Sequence, residues 1–221
     1  ELNRAGCALL GGHTLEGPQM AAGFAVNGSA REQQLFHKGG GVVGDQLVLT
    51  KPLGTGIILA AMMQLRVRAS ALDAALASML QSNAAAAGIL AEHGVRGCTD
   101  ITGFGLLGHV LEMCRAAHTS AVIEVESVPL LADVLSLAKA GVVSTLKPAN
   151  DIALTACDID PRLHDHPLLA VLTDPQTSGG LLAAVPATQL DACLRALKLA
   201  GMDAVHIGEL REITDLSVQL R

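Results

Sequence analysis

The sequence of 221 residues contains no tryptophan and no tyrosine, and it has only three phenylalanines. Proteins that bind single-stranded nucleic acid commonly stack the bases on aromatic side chains, so this scarcity disfavours such a function. Lysine and arginine number 15 against 21 acidic residues, which gives a formal net charge of -6. So few cations leave no basic surface for phosphate backbones. The composition therefore predicts no nucleic-acid partner.

Long apolar runs are also missing from the sequence. Residues 57–63 form one of the longest such runs, far short of the roughly 18 residues that span a bilayer. The sequence therefore predicts no membrane segment. Residues 1–4 include no initiator methionine and do not have the charged-then-apolar pattern of a signal peptide. We therefore expect the chain to be a piece of a longer protein.

No C-x-x-C pair occurs among the five cysteines, which argues against a zinc site or a redox dithiol. Their odd number and wide spacing predict reduced thiols and a cytoplasmic protein. Three of them lie in apolar surroundings and are predicted to be small buried hydrophobic residues: Cys7, Cys114 and Cys193.

Apolar residues make up 50% of the sequence, and their spacing predicts both strands and helices. Short apolar runs that end at turn residues predict strands at 6–10, 23–28, 46–50, 121–126, 168–173, 181–185, 204–210 and 216–220. Apolar residues at three- and four-residue steps predict helices at 71–93, 106–117, 129–140 and 187–200.

The alternation of predicted strands and helices, without internal repeats, indicates the fold class. It is typical of an α/β (α+β) sandwich in which helices cover a mixed β-sheet. Residues 29–41 are polar and then glycine-rich, which predicts a flexible connection. We therefore expect residues 1–41 to be a remnant strand and linker, and residues 42–221 to be the main domain.

Gly103, Gly105 and Gly108 match the G-x-G-x-x-G pattern of dinucleotide-binding proteins. That fold requires an apolar strand running directly into the first glycine. Here the preceding residues 96–102 are polar and include Asp100. The context therefore disfavours NAD or FAD binding at this motif.

Asp100 lies between two threonines and just before glycines that allow close backbone approach to a ligand. A carboxylate beside the start of a helix that favours phosphate is suited to Mg²⁺, which prefers carboxylate oxygens together with substrate oxygens. The alternative is that Asp100 or Thr102 caps the helix. The spacing alone leaves both interpretations open.

Three other glycine-rich segments combine flexible backbone with polar groups. Residues 11–14 (GGHT) present an imidazole and a hydroxyl, or form a turn with an exposed histidine. Lys51 could meet a phosphate, although residues 51–56 lack the order of a P-loop. Residues 174–180 form either an anion-binding nest or a long hairpin loop.

Two histidines at 164–166 are too few for a closed zinc site, so a solvated loop is predicted there.

Four segments together carry a resemblance to a known family: GGHT at 11–14, LTKPLGTG at 49–56, TDITGFGLLGH at 99–109 and DPQTSGGL at 174–181. Their sequences and order resemble selenophosphate synthetase, also called selenide, water dikinase. This family belongs to the PurM-like (AIR synthetase-related) group of ATP-using enzymes, whose C-terminal domain is an α/β sandwich. The resemblance implies conversion of selenide, ATP and water to selenophosphate, AMP and phosphate, with Mg²⁺ and a homodimeric enzyme.

By the same resemblance, Gly12, His13 and Thr14 contact ATP across the dimer, and Asp100 is a magnesium ligand. Residues 1–41 would then be the remnant of an N-terminal ATP-binding domain. In this family that domain carries the reactive cysteine or selenocysteine, a catalytic lysine and most of the magnesium-binding aspartates. We therefore assign no catalytic residue to this chain and expect it to be inactive alone.

Two alternatives to this function stay open. One is the C-terminal domain of another PurM-like ATP-using enzyme, which would keep the fold and change the substrate. The other is a non-catalytic dimerisation or interaction module. Residues 15–20 also differ from the acidic, proline-rich stretch that the family commonly has after the histidine.

Overall fold

The computed structural model describes residues 2–32, 35–215 and 217–221, and the chain divides into two compact units, residues 1–31 and 32–221. The described residues 2–31 contain no helix or strand, and their side chains are exposed. The strands predicted at 6–10 and 23–28 are therefore wrong, because short apolar runs with many glycines need hydrogen-bonded neighbours to form a sheet. Cys7 is likewise exposed rather than buried.

The second unit contains a single mixed sheet. Its strands are β1 (Gln46–Leu49), β2 (Gly97–Asp100), β3 (Ser120–Ile123), β4 (Cys157–Ile159), β5 (Leu181–Val185), β6 (Val205–Arg211) and β7 (Val218–Leu220). They are ordered β2-β5-β1-β6-β3-β7-β4. The pairs β3–β7 and β4–β7 are parallel, and the remaining pairs are antiparallel. The predicted mixed sheet is thus confirmed.

Helices cover this sheet. They are α1 (Thr55–Met63), α2 (Ala69–Leu80), α3 (Ala84–Glu92), α4 (Gly105–Ala117), α5 (Val134–Lys139), α6 (Lys147–Asn150), α7 (Leu168–Leu172) and α8 (Leu190–Leu199). Short 3-10 helices occur at Val125–Ser127, Asp151–Ala156, Pro161–Leu163 and Ala187–Gln189.

The two faces of the sheet bury different apolar clusters, because successive side chains of a strand point to opposite faces. Leu47 and Leu49 of β1 belong to the larger cluster, together with α1, α2, α4, α5 and α7. Val48 belongs to the smaller cluster, together with α3 and α8. Helices therefore lie on both faces, which confirms the predicted α/β sandwich.

The helix predicted at 71–93 is in fact two helices, because α2 ends at Leu80 and α3 begins at Ala84 with a bend of 57°. Gln81 has an extended conformation that ends α2. Among the described residues no single helix is long and apolar enough to cross a membrane. Only α2 and α3 taken together, despite their bend, pass that test of length and composition.

The apolar run at 168–173 forms helix α7 instead of the predicted strand. A short apolar run fits either element, and Pro167 at the N-cap position favours the helix. The helix predicted at 129–140 is limited to α5, because Asp133 has a φ of 68° and cannot continue a helix towards the N-terminus. The other predicted elements are confirmed with small shifts in their ends, although Leu216 lies outside the described residues.

Candidate functional site

Three of the four motif segments meet at one end of the sheet. The antiparallel pairing places Leu49 opposite Leu182 and Asp100 opposite Leu181, so the ends of β1 and β2 lie beside the start of β5. The N–H of Ile101 donates to the carbonyl of Gly180 at 2.9 Å. Segments 50–56, 100–105 and 174–180 are therefore neighbours in space.

Glycines allow these three segments to touch through their backbones. A Cβ on Gly56 would lie 2.4 Å from the carbonyl oxygen of Pro175, and one on Gly179 would lie 2.3 Å from that of Ile101. Gly105 has a φ of +70°, and a Cβ there would lie 2.8 Å from the carbonyl carbon of Thr173. These three glycines are thus required for packing of the protein against itself.

Of the three glycines in the G-x-G-x-x-G match, Gly105 is required by this packing, and the sheet around the motif does not fit a dinucleotide site. The strand before it, β2, has antiparallel β5 as its sheet neighbour. Dinucleotide binding requires a parallel βαβ unit. The structure therefore agrees with the sequence argument against NAD or FAD.

Lys51 is buried, with 3% of its surface exposed. Its Nζ donates to the carbonyl oxygens of Ser78 at 3.1 Å, Gln81 at 2.7 Å and Ser178 at 3.0 Å. An ammonium group has three N–H donors, so all of them are used. Desolvation lowers the pKa of this lysine. The interpretation of Lys51 as a phosphate contact is therefore wrong; it joins the end of α2 to the 174–180 loop.

Side chains of the 174–180 loop occupy the start of helix α1. Oδ2 of Asp174 accepts the N–H of Ile57 at 3.1 Å. Oε1 of Gln176 accepts the N–H groups of Gly54 at 2.9 Å and Thr55 at 3.1 Å. Burial raises the pKa of Asp174 to about 7, more than its hydrogen bonds lower it. The free N–H groups of this helix end are thus bonded within the protein.

The backbone of the same loop also bonds internally. The amide of Gln176 donates to the carbonyl of Thr102 at 2.9 Å, and the amide of Thr177 donates to Oγ1 of Thr55 at 2.9 Å. Because these two amides have partners, they do not form the predicted anion nest. The hairpin alternative is also wrong, since the loop joins helix α7 to strand β5.

Asp100 is the exposed last residue of β2. Its carboxylate makes no hydrogen bond or ion pair with any of the residues in 2–32, 35–215 and 217–221. Helix α4 begins at Gly105, with Phe104 at the N-cap position and no side-chain cap. Thr102 Oγ1 instead lies 3.1 Å from His109 Nε2. The alternative in which Asp100 or Thr102 caps the helix is therefore wrong.

The surroundings of Asp100 suit a metal site that is completed by water and substrate, and not one formed by protein side chains alone. In the part of the chain that the structure describes, no three His, Cys, Asp or Glu side chains are grouped to hold a metal. Mg²⁺ commonly uses one or two carboxylates and completes its shell with water and substrate phosphates. A single exposed carboxylate such as Asp100 fits that mode of binding.

The remaining candidate residues are placed as follows. Gly12, His13 and Thr14 are exposed residues of the first unit. His164 and Asp165 are exposed in a loop, as the sequence predicts. Asn83, at the start of α3, donates through Nδ2 to the carbonyl of Gly179 at 3.0 Å.

Sequence reasoning missed the roles of Asp174, Gln176 and His109, all of which are buried. Each lies inside a motif that the sequence marks, but no local pattern identifies its partner. The available signal was the placement of polar residues among glycines, which predicts close backbone contact without naming the segments in contact.

Solved structures with a similar fold support the assignment of the fold. Thiamine-monophosphate kinase from Stenotrophomonas maltophilia has a TM-score of 0.59 at 14% identity, covering 85% of this chain and 53% of that one. The hydrogenase maturation protein HypE from E. coli has a TM-score of 0.61 at 18% identity, covering 84% of this chain and 48% of that one. A HypE structure in complex with ATP has a TM-score of 0.58.

Sequence comparison finds nearer relatives. A selenide, water dikinase from Myxococcus xanthus is 39% identical over 211 residues, which cover 95% of this chain and 60% of the relative. One from Desulfitobacterium hafniense is 36% identical over 221 residues, covering 100% of this chain and 64% of the relative. The chain thus spans about three fifths of the length of these relatives.

The family described as "AIR synthase related protein, C-terminal domain" matches residues 42–221. The matched range contains the whole sheet and its helices. The named relatives confirm the resemblance to selenide, water dikinases that the four motifs indicate. The chain belongs to the AIR synthase related protein C-terminal domain family, within the PurM-like superfamily.

Proposed function

We propose that this chain supplies the C-terminal domain of an ATP-dependent selenide, water dikinase. The whole enzyme would convert selenide, ATP and water to selenophosphate, AMP and phosphate. Identities of 36% and 39% over nearly the whole chain to two proteins of that name support this proposal. The chain spans about three fifths of those relatives, and by resemblance its part of the reaction is to help bind and position Mg-ATP.

Asp100 carries the proposal, because it is an exposed carboxylate without a structural role in the described residues. We assign it as a ligand of the Mg²⁺ that accompanies ATP. Bound Mg²⁺ supplies positive charge that offsets the charge of the triphosphate. The chain's contribution is to hold the carboxylate at the end of β2, where pairing with β5 positions it in the absence of metal.

Gly12, His13 and Thr14 are the proposed nucleotide contacts. The two glycines let the backbone approach a phosphate closely, and the imidazole and hydroxyl can donate to its oxygens. All three residues are exposed and therefore accessible. By resemblance, the nucleotide that they contact lies across a homodimer.

The buried cysteines are poor candidates for the reactive nucleophile, which by resemblance lies in another domain. Burial raises the pKa of the Cys98 thiol to about 12 and that of Cys114 to about 11, so both stay protonated and poorly nucleophilic. All five cysteines are free, which suits the reducing cytoplasm that we propose for this protein.

The full-length parent enzyme tests the proposed function. It is mixed with ATP, Mg²⁺ and selenide, and phosphorus NMR follows AMP, phosphate and selenophosphate. We expect selenophosphate and AMP to form together and only when selenide is present. ATP turnover that is indifferent to selenide would favour another ATP-using enzyme of the superfamily, and failure to bind ATP would favour an interaction module.

A further inference from the structure

His109 is a buried residue of helix α4, with 4% of its surface exposed. Its ring meets the ring of Phe104 edge-on, with the centroids 5.8 Å apart. The sequence places it at the end of the motif that contains Asp100, yet nothing in the proposed function uses it. The nitrogen atoms of a buried imidazole normally have hydrogen-bond partners.

That partner is the backbone of Thr102. The N–H of Thr102 lies 3.0 Å from Nε2 of His109. The carbonyl of Thr102 accepts the N–H groups of Gly105 at 3.1 Å and Gln176 at 2.9 Å. Both backbone polar groups of Thr102 are therefore bonded, and the N–H depends on the histidine. An N–H left without an acceptor would favour a different backbone conformation.

The geometry assigns the position of the proton on the imidazole. Because Nε2 accepts the Thr102 N–H, the proton of the neutral ring is on Nδ1. Nδ1 lies 3.2 Å from Oε2 of Glu112, so a proton on Nδ1 is close to a carboxylate oxygen. Glu112 in turn accepts from Nζ of Lys38 at 2.8 Å.

Burial favours the neutral form of the His109 ring. Burial, the largest effect, lowers the pKa of His109. Glu112 and Asp100 act in the opposite direction, and Lys38 adds to the lowering. A protonated ring would point an N–H of Nε2 at the N–H of Thr102, and two donors facing each other repel.

We propose that His109 is a positioning residue that holds the turn at residues 101–104, and with it the carboxylate of Asp100, by accepting the N–H of Thr102 at Nε2. Thr102 is two residues beyond Asp100, so a change at its backbone moves the end of β2. The link to Mg²⁺ rests on the proposed function; the hold on the turn rests on the hydrogen bond.

The tautomer of His109 gives the first test, made on the wild-type chain without ATP. Long-range proton–nitrogen NMR distinguishes a protonated ring nitrogen from an unprotonated one. We expect Nδ1 to carry the proton and Nε2 to be unprotonated at neutral pH. A proton on Nε2 would overturn the proposal, whether or not the chain binds nucleotide.

Two substitutions give the second test. His109→Leu removes the acceptor, whereas His109→Gln places a neutral acceptor oxygen near the position of Nε2. We expect amide exchange of Thr102 to become about tenfold faster or more in His109→Leu and to stay near wild type in His109→Gln. Exchange at Val48 in the core serves as the control for global stability. Unchanged protection of Thr102 in His109→Leu would overturn the proposal.

The same variants in the full-length parent connect the turn to the metal. We expect His109→Leu to raise the KM for Mg²⁺ several-fold and His109→Gln to restore it. Loss of Thr102 protection without a change in this KM would overturn the positioning role. If Asp100→Asn also leaves the KM for Mg²⁺ unchanged, the assignment of Asp100 as a metal ligand fails. The tautomer and exchange experiments would still test whether His109 accepts the N–H of Thr102.

Discussion

Oδ2 of Asp174 accepts the N–H of Ile57 across 117 positions of sequence, at a distance of 3.1 Å. The carboxyl thereby fixes the first turn of α1 to the loop before β5. Oδ1 of the same carboxyl is buried without a hydrogen-bond partner among the described residues. The carboxyl of Asp174 therefore joins α1 to the loop before β5, but its negative charge is unfavourable because the group is buried.

Asp174 should make the stability of the chain depend on pH. Its pKa rises from 3.8 to about 7 on folding, so the folded state binds the proton more tightly. The associated stability is fully present below about pH 4, decreases as the pH rises and is lost above about pH 7. Asp174→Asn stays neutral at every pH. As the pH rises from about 4 to about 7, the free energy of unfolding of this variant should therefore increase relative to that of wild type by roughly 2 to 4 kcal/mol. Urea unfolding measures this difference.

The control for this prediction is Asp73→Asn, at an exposed position of α2. Its unfolding free energy should follow that of wild type at every pH. Parallel pH profiles for Asp174→Asn and wild type would contradict the assigned shift.

Lys51→Met should destabilise the chain in the absence of any ligand. The substitution leaves the carbonyls of Ser78, Gln81 and Ser178 without their donor, at a cost of about 2 to 4 kcal/mol. Lys198→Met, at an exposed position of α8, should cost less than about 1 kcal/mol. Denaturant unfolding compares the two, and equal stabilities would show that the three hydrogen bonds do not matter.

Gly105→Ala and Gly103→Ala form a matched pair within one motif. The φ of +70° and the close contact with Thr173 predict that Gly105→Ala costs about 2 kcal/mol or more. A Cβ on Gly103 meets no heavy atom within 4 Å, so its replacement should cost less than about 1 kcal/mol. Thermal melting ranks them; the reverse order would contradict the packing role of Gly105.

The chain alone should show no selenide-dependent release of AMP. Burial raises the pKa of the Cys98 and Cys114 thiols, and among the described residues no three His, Cys, Asp or Glu side chains are grouped to hold a metal. A sensitive assay of AMP with Mg²⁺ and selenide measures this, with the full-length parent as the positive control. Turnover at the parent's rate would place the chemistry in this chain.

The sequence predicted the sheet better than the contacts that organise the site. Alternating or continuous apolar runs identified β1 and β5, since local pattern reflects burial. The break between α2 and α3 has no local signal, since the carbonyls at the end of α2 accept hydrogen bonds from Lys51, 27 positions before Ser78. Likewise, Asp174 and Gln176 act on α1 from more than 100 positions away. Such long-range hydrogen bonds leave no local periodicity.

The magnesium dependence of Asp100→Asn in the full-length parent tests the central claim most directly. Removing the charge of an exposed ligand should leave the unfolding free energy nearly unchanged. It should lower the turnover rate strongly at limiting Mg²⁺, with partial recovery at high Mg²⁺. Asp73→Asn should behave as wild type. Full activity of Asp100→Asn at limiting Mg²⁺ would contradict the claim that this carboxylate binds the metal.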